Sequence, residues 1–308
     1  MIETEITIKA DGADLAASLT RPETDGPCPL VIYIHGTGPL DRDENMPGMA
    51  LNVFNTISKA LAQHGIAGLR FDKRGCGQST GDYVSAGHFD LVNDVIALID
   101  YARNVEGFTE IYLLGHSEGT LIGAEASLER EVSGLLLLAP FAQDLEPILR
   151  EQARKGAENM RALKGPRGWT YRIITFFTGG PEKAQDKIIA TLKAGTTDTV
   201  GKGRNRIPAK ALREMMSVSV TGVYEKVSVP VLLLAGAKDL QCDPADIPVL
   251  KNILGEAATS HVLPDLTHIL RSDPGEHTFF SYPGLIEEPI DPEVIAIVAD
   301  WLDRRTAG

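Results

Sequence analysis

Gly115-His116-Ser117-Glu118-Gly119 is preceded by the apolar run Ile111-Tyr112-Leu113-Leu114 and followed by Thr120-Leu121-Ile122-Gly123-Ala124. The first run reads as a buried strand and the second as the start of a buried helix, which puts the pentapeptide on a strand-to-helix turn. In such a turn the serine takes a strained backbone, and the flanking glycines are needed because side chains there would collide with neighbouring backbone. Ser117 then projects alone as a candidate nucleophile. The bland alternative is a glycine-rich turn whose serine caps the next helix. Five residues with three fixed positions recur by chance, and the flanking strand and helix favour the first reading.

Outward from this turn, apolar runs alternate with helical patterns. Ile2 to Lys9 and Leu15 to Thr20 suggest an antiparallel start. Leu30 to Ile34 is apolar throughout, as expected of a strand buried on both faces of a parallel sheet, and ends in His35-Gly36-Thr37-Gly38-Pro39. A helix near Ala50 to Gln63, a strand Ile66 to Phe71, a helix Asp90 to Arg103, the strand before Ser117 and a strand through Leu135 to Leu138 follow. This rhythm predicts an α/β fold with a mostly parallel central sheet and helices on both faces. After Pro140 the rhythm breaks. Residues 141–227 carry helical patterns, such as Leu145 to Leu163 and Lys183 to Lys193, and no convincing strand, which predicts an inserted helical cap. Residues 1–140 and 228–308 form the expected core, with a strand Val229 to Ala235, a helix near Pro244 to Leu254, a strand Ser260 to Leu263 and a last helix from about Pro292 to Arg304.

Composition bounds the function. The chain has 308 residues, 43% hydrophobic and 23% charged, with a formal charge of −12. That charge argues against a nucleic-acid binder, whose affinity rests on lysine and arginine neutralising phosphates. The basic cluster from Lys202 to Arg206 is short and reads as a solvated loop. The longest apolar runs fall far short of the roughly 20 residues a bilayer needs, and Met1 to Glu5 lacks a basic and apolar leader. A soluble, cytoplasmic protein is expected. Cys28, Cys76 and Cys242 show no metal spacing and are expected to be free thiols, with no metal and no cofactor required.

A serine hydroxyl is a poor nucleophile at neutral pH, so it needs a general base and a carboxylate to orient that base. In an open α/β sheet both belong in loops at the carboxyl ends of later strands. Asp239 follows Leu232-Leu233-Leu234-Ala235-Gly236-Ala237-Lys238 at such an end. Asp243 and Asp246 compete, but Asp243 before Pro244 reads as a helix N-cap, and Asp246 falls in that helix's first turn. Where serine, acid and histidine follow in chain order, His261, His268 and His277 remain. His268, in the loop after the last strand, is the candidate base; His261 begins a strand, and His277 sits in a Pro- and Gly-rich loop. The developing oxyanion needs two donors. The backbone N–H of Glu118 is one. The loop after the first buried strand supplies the second, with Thr37 as donor and Gly36 allowing close approach.

Together these residues resemble the α/β-hydrolases, specifically bacterial esterases and serine-aminopeptidase-like hydrolases. The resemblance rests on His35 to Pro39, Arg70-Phe71-Asp72-Lys73-Arg74-Gly75-Cys76-Gly77-Gln78-Ser79, Gly115 to Gly119, Gly236 to Asp239 and Leu266-Thr267-His268, and spans about residues 28 to 305 apart from the cap. It implies structural roles for Asp72 and Arg74. A dinucleotide loop at Gly75 to Thr80 is rejected, since Thr80 stands where a third glycine belongs. The charged loop Asp41-Arg42-Asp43-Glu44-Asn45, directly after the oxyanion segment, is read as mutual salt bridges on a wet surface, with contact to substrate or to the cap as the alternative. In the cap, Trp169, Tyr171, Ile173, Ile174, Phe176 and Phe177 form an aromatic cluster. It serves either as the cap's own core or, through Trp169, Phe176 and Phe177, as part of an acyl pocket. The expected activity is metal-independent cleavage of small to medium acyl esters by Ser117, His268 and Asp239. A peptidase acting on short peptides, and a hydrolase-like protein that binds a small molecule without turning it over, remain as alternatives.

Overall fold

The structure is a computed structural model that describes residues 1–23, 26–165, 175, 180–275 and 278–306. Its centre is an eight-stranded sheet of β1 (Ile2–Ala10), β2 (Ala13–Arg21), β3 (Leu30–Ile34), β4 (Ala67–Phe71), β5 (Ile111–His116), β6 (Gly134–Leu138), β9 (Val231–Gly236) and β10 (Ala258–Leu263), in the order β1-β2-β4-β3-β5-β6-β9-β10. Only the β1–β2 and β2–β4 pairings are antiparallel. Every residue of β3, β4, β5, β6 and β9 is buried, which is why these segments read as mainly apolar runs, broken in β4 by the buried Arg70 and at the end of β5 by His116.

Strand period two divides the core between the faces. Ile32, Leu113, Leu135 and Leu233 join one cluster with Leu98 of α2 (His88–Asn104), Ile122 of α3 (Glu118–Glu129) and Leu250 of α8 (Asp246–Leu254). Tyr33, Leu114, Leu136 and Leu234 join another with Phe54 and Ile57 of α1 (Val53–Gln63) and Val298 and Trp301 of α9 (Pro292–Thr306). The expected α/β architecture with helices on both faces is what the chain builds.

Between β6 and β9 lie α4 (Leu145–Ala162), α5 (Gly180–Ala194), α6 (Ala209–Ser217) and α7 (Val220–Tyr224). A two-stranded antiparallel ribbon, β7 (Thr199–Val200) with β8 (Ile207–Pro208), departs from the all-helical expectation. Two residues per strand are too few to leave a periodicity in the sequence. Trp169, Tyr171, Ile173, Ile174, Phe176 and Phe177 lie outside the described residues, as does His277. Among the described residues no helix is long and apolar enough to cross a membrane.

Candidate active site

Four loops at the carboxyl ends of β3, β5, β9 and β10 converge, where open α/β sheets place their ligands. At the end of β5, Ser117 has φ 54 and ψ −120. Its side chain makes no cap hydrogen bond to α3, so the capping alternative finds no support. Ser117 N–H donates to Leu138 O at 2.9 Å, and Ser117 O accepts from Thr120 N at 2.9 Å and Thr120 Oγ1 at 2.6 Å. A Cβ at Gly119 would collide with Ile34 O, and one at Gly115 with Gly119 O, so the elbow closes only with glycine at both positions.

Asp239 and His268 meet across the ends of β9 and β10. Asp239 Oδ2 accepts from His268 Nδ1 at 2.7 Å, and Asp239 Oδ1 accepts from Gln241 N at 2.7 Å and Cys242 N at 2.8 Å. The pair leaves Nε2 as the free ring nitrogen of His268. Asp246 instead accepts from Ala142 N at 3.0 Å, tying the insertion to α8. Asp243 corrects the capping expectation. The helix begins at Asp246 with Ala245 in the cap position, and the Asp243 carboxylate closes a preceding turn by accepting from Ala245 N at 3.0 Å. His261 sits within β10, away from these groups.

Gly36, Thr37, Ser117, Glu118 and His268 line one cavity of about 360 Å³. A Cβ at Gly36 would stand 3.2 Å from Ser117 Cβ, so glycine there lets the loop close on the serine. The N–H groups of Thr37 and Glu118 have no acceptor among the described residues. Leu145, Ile148 and Leu149 of α4 and Leu212 and Met215 of α6 wall the cavity on the insertion side, with Met46, Met49 and Leu51 among the residues opposite. The Cys242 thiol lies against the Ser117 hydroxyl, and burial, then the Asp239 carboxylate, push its pKa well up, which keeps it protonated.

The loop from Asp41 to Asn45 does not form mutual salt bridges on a wet surface. Arg42 donates to Asp72 through Nη2 at 2.9 Å and Nε at 3.2 Å, Arg70 pairs with Asp43, and Glu44 is 1% exposed beneath the site. Glu44 lines the cavity, as the alternative reading of this loop allowed, while His116 and Lys73 border the site with no such role assigned to them from the sequence. The available signal for His116 was its place inside the elbow motif. Asp72 and Arg74 hold the structural positions expected of them: Gln78 N donates to Asp72 Oδ2 at 2.8 Å, and Arg74 pairs with Asp94.

A serine elbow at the carboxyl edge of a mostly parallel sheet, beside a histidine–aspartate pair in later loops, places the molecule in the α/β-hydrolase class. The sequence model described as serine aminopeptidase, S33, matches residues 48–275, and the chain belongs to that family. Esterase EstD of Thermotoga maritima is 26% identical over 302 residues, covering 97% of this chain and 67% of that protein. Est1E of Butyrivibrio proteoclasticus, solved with ferulic acid bound, aligns with a TM-score of 0.65 and 22% identity, over 98% of this chain and all of that one. Proline iminopeptidase of Mycobacterium smegmatis aligns with a TM-score of 0.60 and 18% identity, over 99% of each chain. The last two likenesses are of fold alone.

Proposed function

We propose that this protein is a serine hydrolase of carboxylic esters with small or medium acyl groups. The observation that carries the reading is the meeting of three things at one apolar cavity: Ser117, the His268–Asp239 pair, and the unengaged N–H groups of Thr37 and Glu118. Turning about χ1 moves the Ser117 hydroxyl from Cys242 to Nε2 of His268, which takes its proton as Oγ attacks the ester carbonyl. Asp239 holds the imidazolium so formed, and the Thr37 and Glu118 N–H groups receive the oxyanion. His268 returns the proton to the leaving alcohol, and water resolves the acyl-enzyme through the same base.

The walls supplied by α4 and α6 support an apolar acyl group, and residues 141–227 act as the cap that selects it. A free α-amine would call for an unpaired carboxylate. The acidic lining residues among those described, Glu44 and Glu118, are engaged by His116 and Lys73. The likeness to a protein named as an esterase points the same way.

Wild type and Ser117→Ala, assayed in parallel on nitrophenyl acyl esters and aminoacyl anilides, test the proposal. Esters should be cleaved by the wild type, with kcat falling by about 10⁶ in the variant. Cleavage of anilides alone would replace the ester reading with the peptidase one, and an active Ser117→Ala would overturn both.

A further inference from the structure

Gly36 is gripped on its two sides by buried side chains of opposite charge, Lys73 at its carbonyl and Glu44 at its N–H. Lys73 Nζ donates to Gly36 O at 2.7 Å and reaches Gly38 O and Glu118 Oε2 at 3.4 Å each. On the other side of the same residue, Gly36 N–H donates to Glu44 Oε1 at 3.0 Å. That oxygen also meets His116 Nδ1 at 2.9 Å, and His116 Nε2 reaches the backbone oxygen of His268 at 2.9 Å. Lys73 is 3% exposed, Glu44 1% and His116 4%.

Peptide planarity turns these grips into a direction. In a trans peptide C=O and N–H point opposite ways, so fixing Gly36 O at Lys73 aims the Thr37 N–H away from Lys73. Thr37 lines the cavity and Lys73 does not, so the N–H is turned to the cavity side. The other arm ties this loop to the histidine. A carbonyl oxygen can only accept, so Nε2 of His116 carries a proton, while Nδ1 faces a carboxylate oxygen that already accepts Gly36 N–H. An imidazolium makes both bonds at once.

The surrounding charges agree with that form. Burial alone would lower the pKa of His116, but the Glu44 carboxylate, the His268 carbonyl and Asp239 carry it above its ordinary value. Burial works to raise Glu44, and His116 and the Gly36 N–H bring it below its ordinary value instead. Arg271 also faces Glu44. His35, between Glu44 and Lys73, is pushed down to about 4 by burial and by Lys73, and is neutral.

We propose that Lys73, Glu44 and His116 form a brace that holds the Thr37 N–H and the His268 loop in register with Ser117, acting as positioning residues for ester cleavage. The inference rests on the nucleophile and oxyanion assignments above. Its signature is a loss in the transition state with ground-state binding kept. In Lys73→Met and Glu44→Gln, kcat should fall by about tenfold to a hundredfold, a fraction of what deleting an oxyanion donor costs, while KM moves less than about threefold. A trifluoromethyl ketone, which binds serine as a tetrahedral oxyanion adduct, should weaken in proportion to kcat/KM.

Rates are expressed per site titrated with a fluorophosphonate, so that misfolded molecules do not count, and Lys73→Arg should recover part of the loss. Ser117→Ala is run alongside. If it keeps hydrolysis, the nucleophile assignment falls. If it abolishes hydrolysis while Lys73→Met and Glu44→Gln retain wild-type kcat per titrated site, or change KM alone, the brace is wrong and the triad stands.

Discussion

Asp239 Oδ2 accepts from His268 Nδ1 at 2.7 Å, with the two residues 1% and 5% exposed. Because the other aspartate oxygen is held by the N–H groups of Gln241 and Cys242, the carboxylate has no freedom to turn away from the ring. Asp239→Asn keeps the volume and presents an amide that can favour the wrong imidazole tautomer. We expect kcat on nitrophenyl esters to drop by about 10³ to 10⁴, with the circular dichroism spectrum unchanged. A loss below tenfold would mean that the histidine is oriented by something else.

The His116–Glu44 pair has a pH signature in stability. The folded pKa of His116 lies above its ordinary value of 6.5, so its contribution is complete below about that pH and is lost as pH rises through the folded pKa. The gap in unfolding free energy between wild type and His116→Gln, followed by urea denaturation, should therefore narrow as pH rises above about 6.5. A gap that widens with pH would rule out the imidazolium.

Arg74 and Asp94 form a buried two-pronged pair, Nε to Oδ2 at 2.7 Å and Nη2 to Oδ1 at 2.6 Å. Arg74→Met strands a carboxylate whose pKa burial already raises, and removing one partner of such a pair costs about 3–5 kcal/mol. Urea midpoints should report that loss, and Arg74→Met/Asp94→Leu should regain much of it, because the orphaned charge is gone. Rates per titrated site should change little in either variant.

Ile148 tests the acyl wall. It is 8% exposed and lines the cavity from α4. Ile148→Trp fills space that a longer acyl chain would occupy, so kcat/KM for an octanoate ester should fall at least about tenfold relative to acetate. An unchanged chain-length profile would place the acyl group elsewhere.

Much of the site was legible because its chemistry forces residue types into short stretches: a serine between glycines, a glycine loop after an apolar strand, an acid and a histidine after later ones. The strands were legible because burial on both faces leaves mainly apolar runs. What escaped was meaning created by folding. Glu44 meets His116 across 72 residues of chain and Lys73 meets Glu118 across 45, so no local pattern shows which partner each of them takes. Asp243 was misplaced by two residues because a turn intervenes before the helix, and the Asp-Pro pair suits either.

The backbone at Ser117 also bears on how well the protein survives. A non-glycine residue at φ 54 and ψ −120 opposes folding by about 1–3 kcal/mol. Ser117→Gly should therefore melt at a higher temperature than the wild type while losing its chemistry, and an unchanged or lower melting point would refute stored strain. Under the proposed function, a serine held in this backbone gives up robustness for turnover.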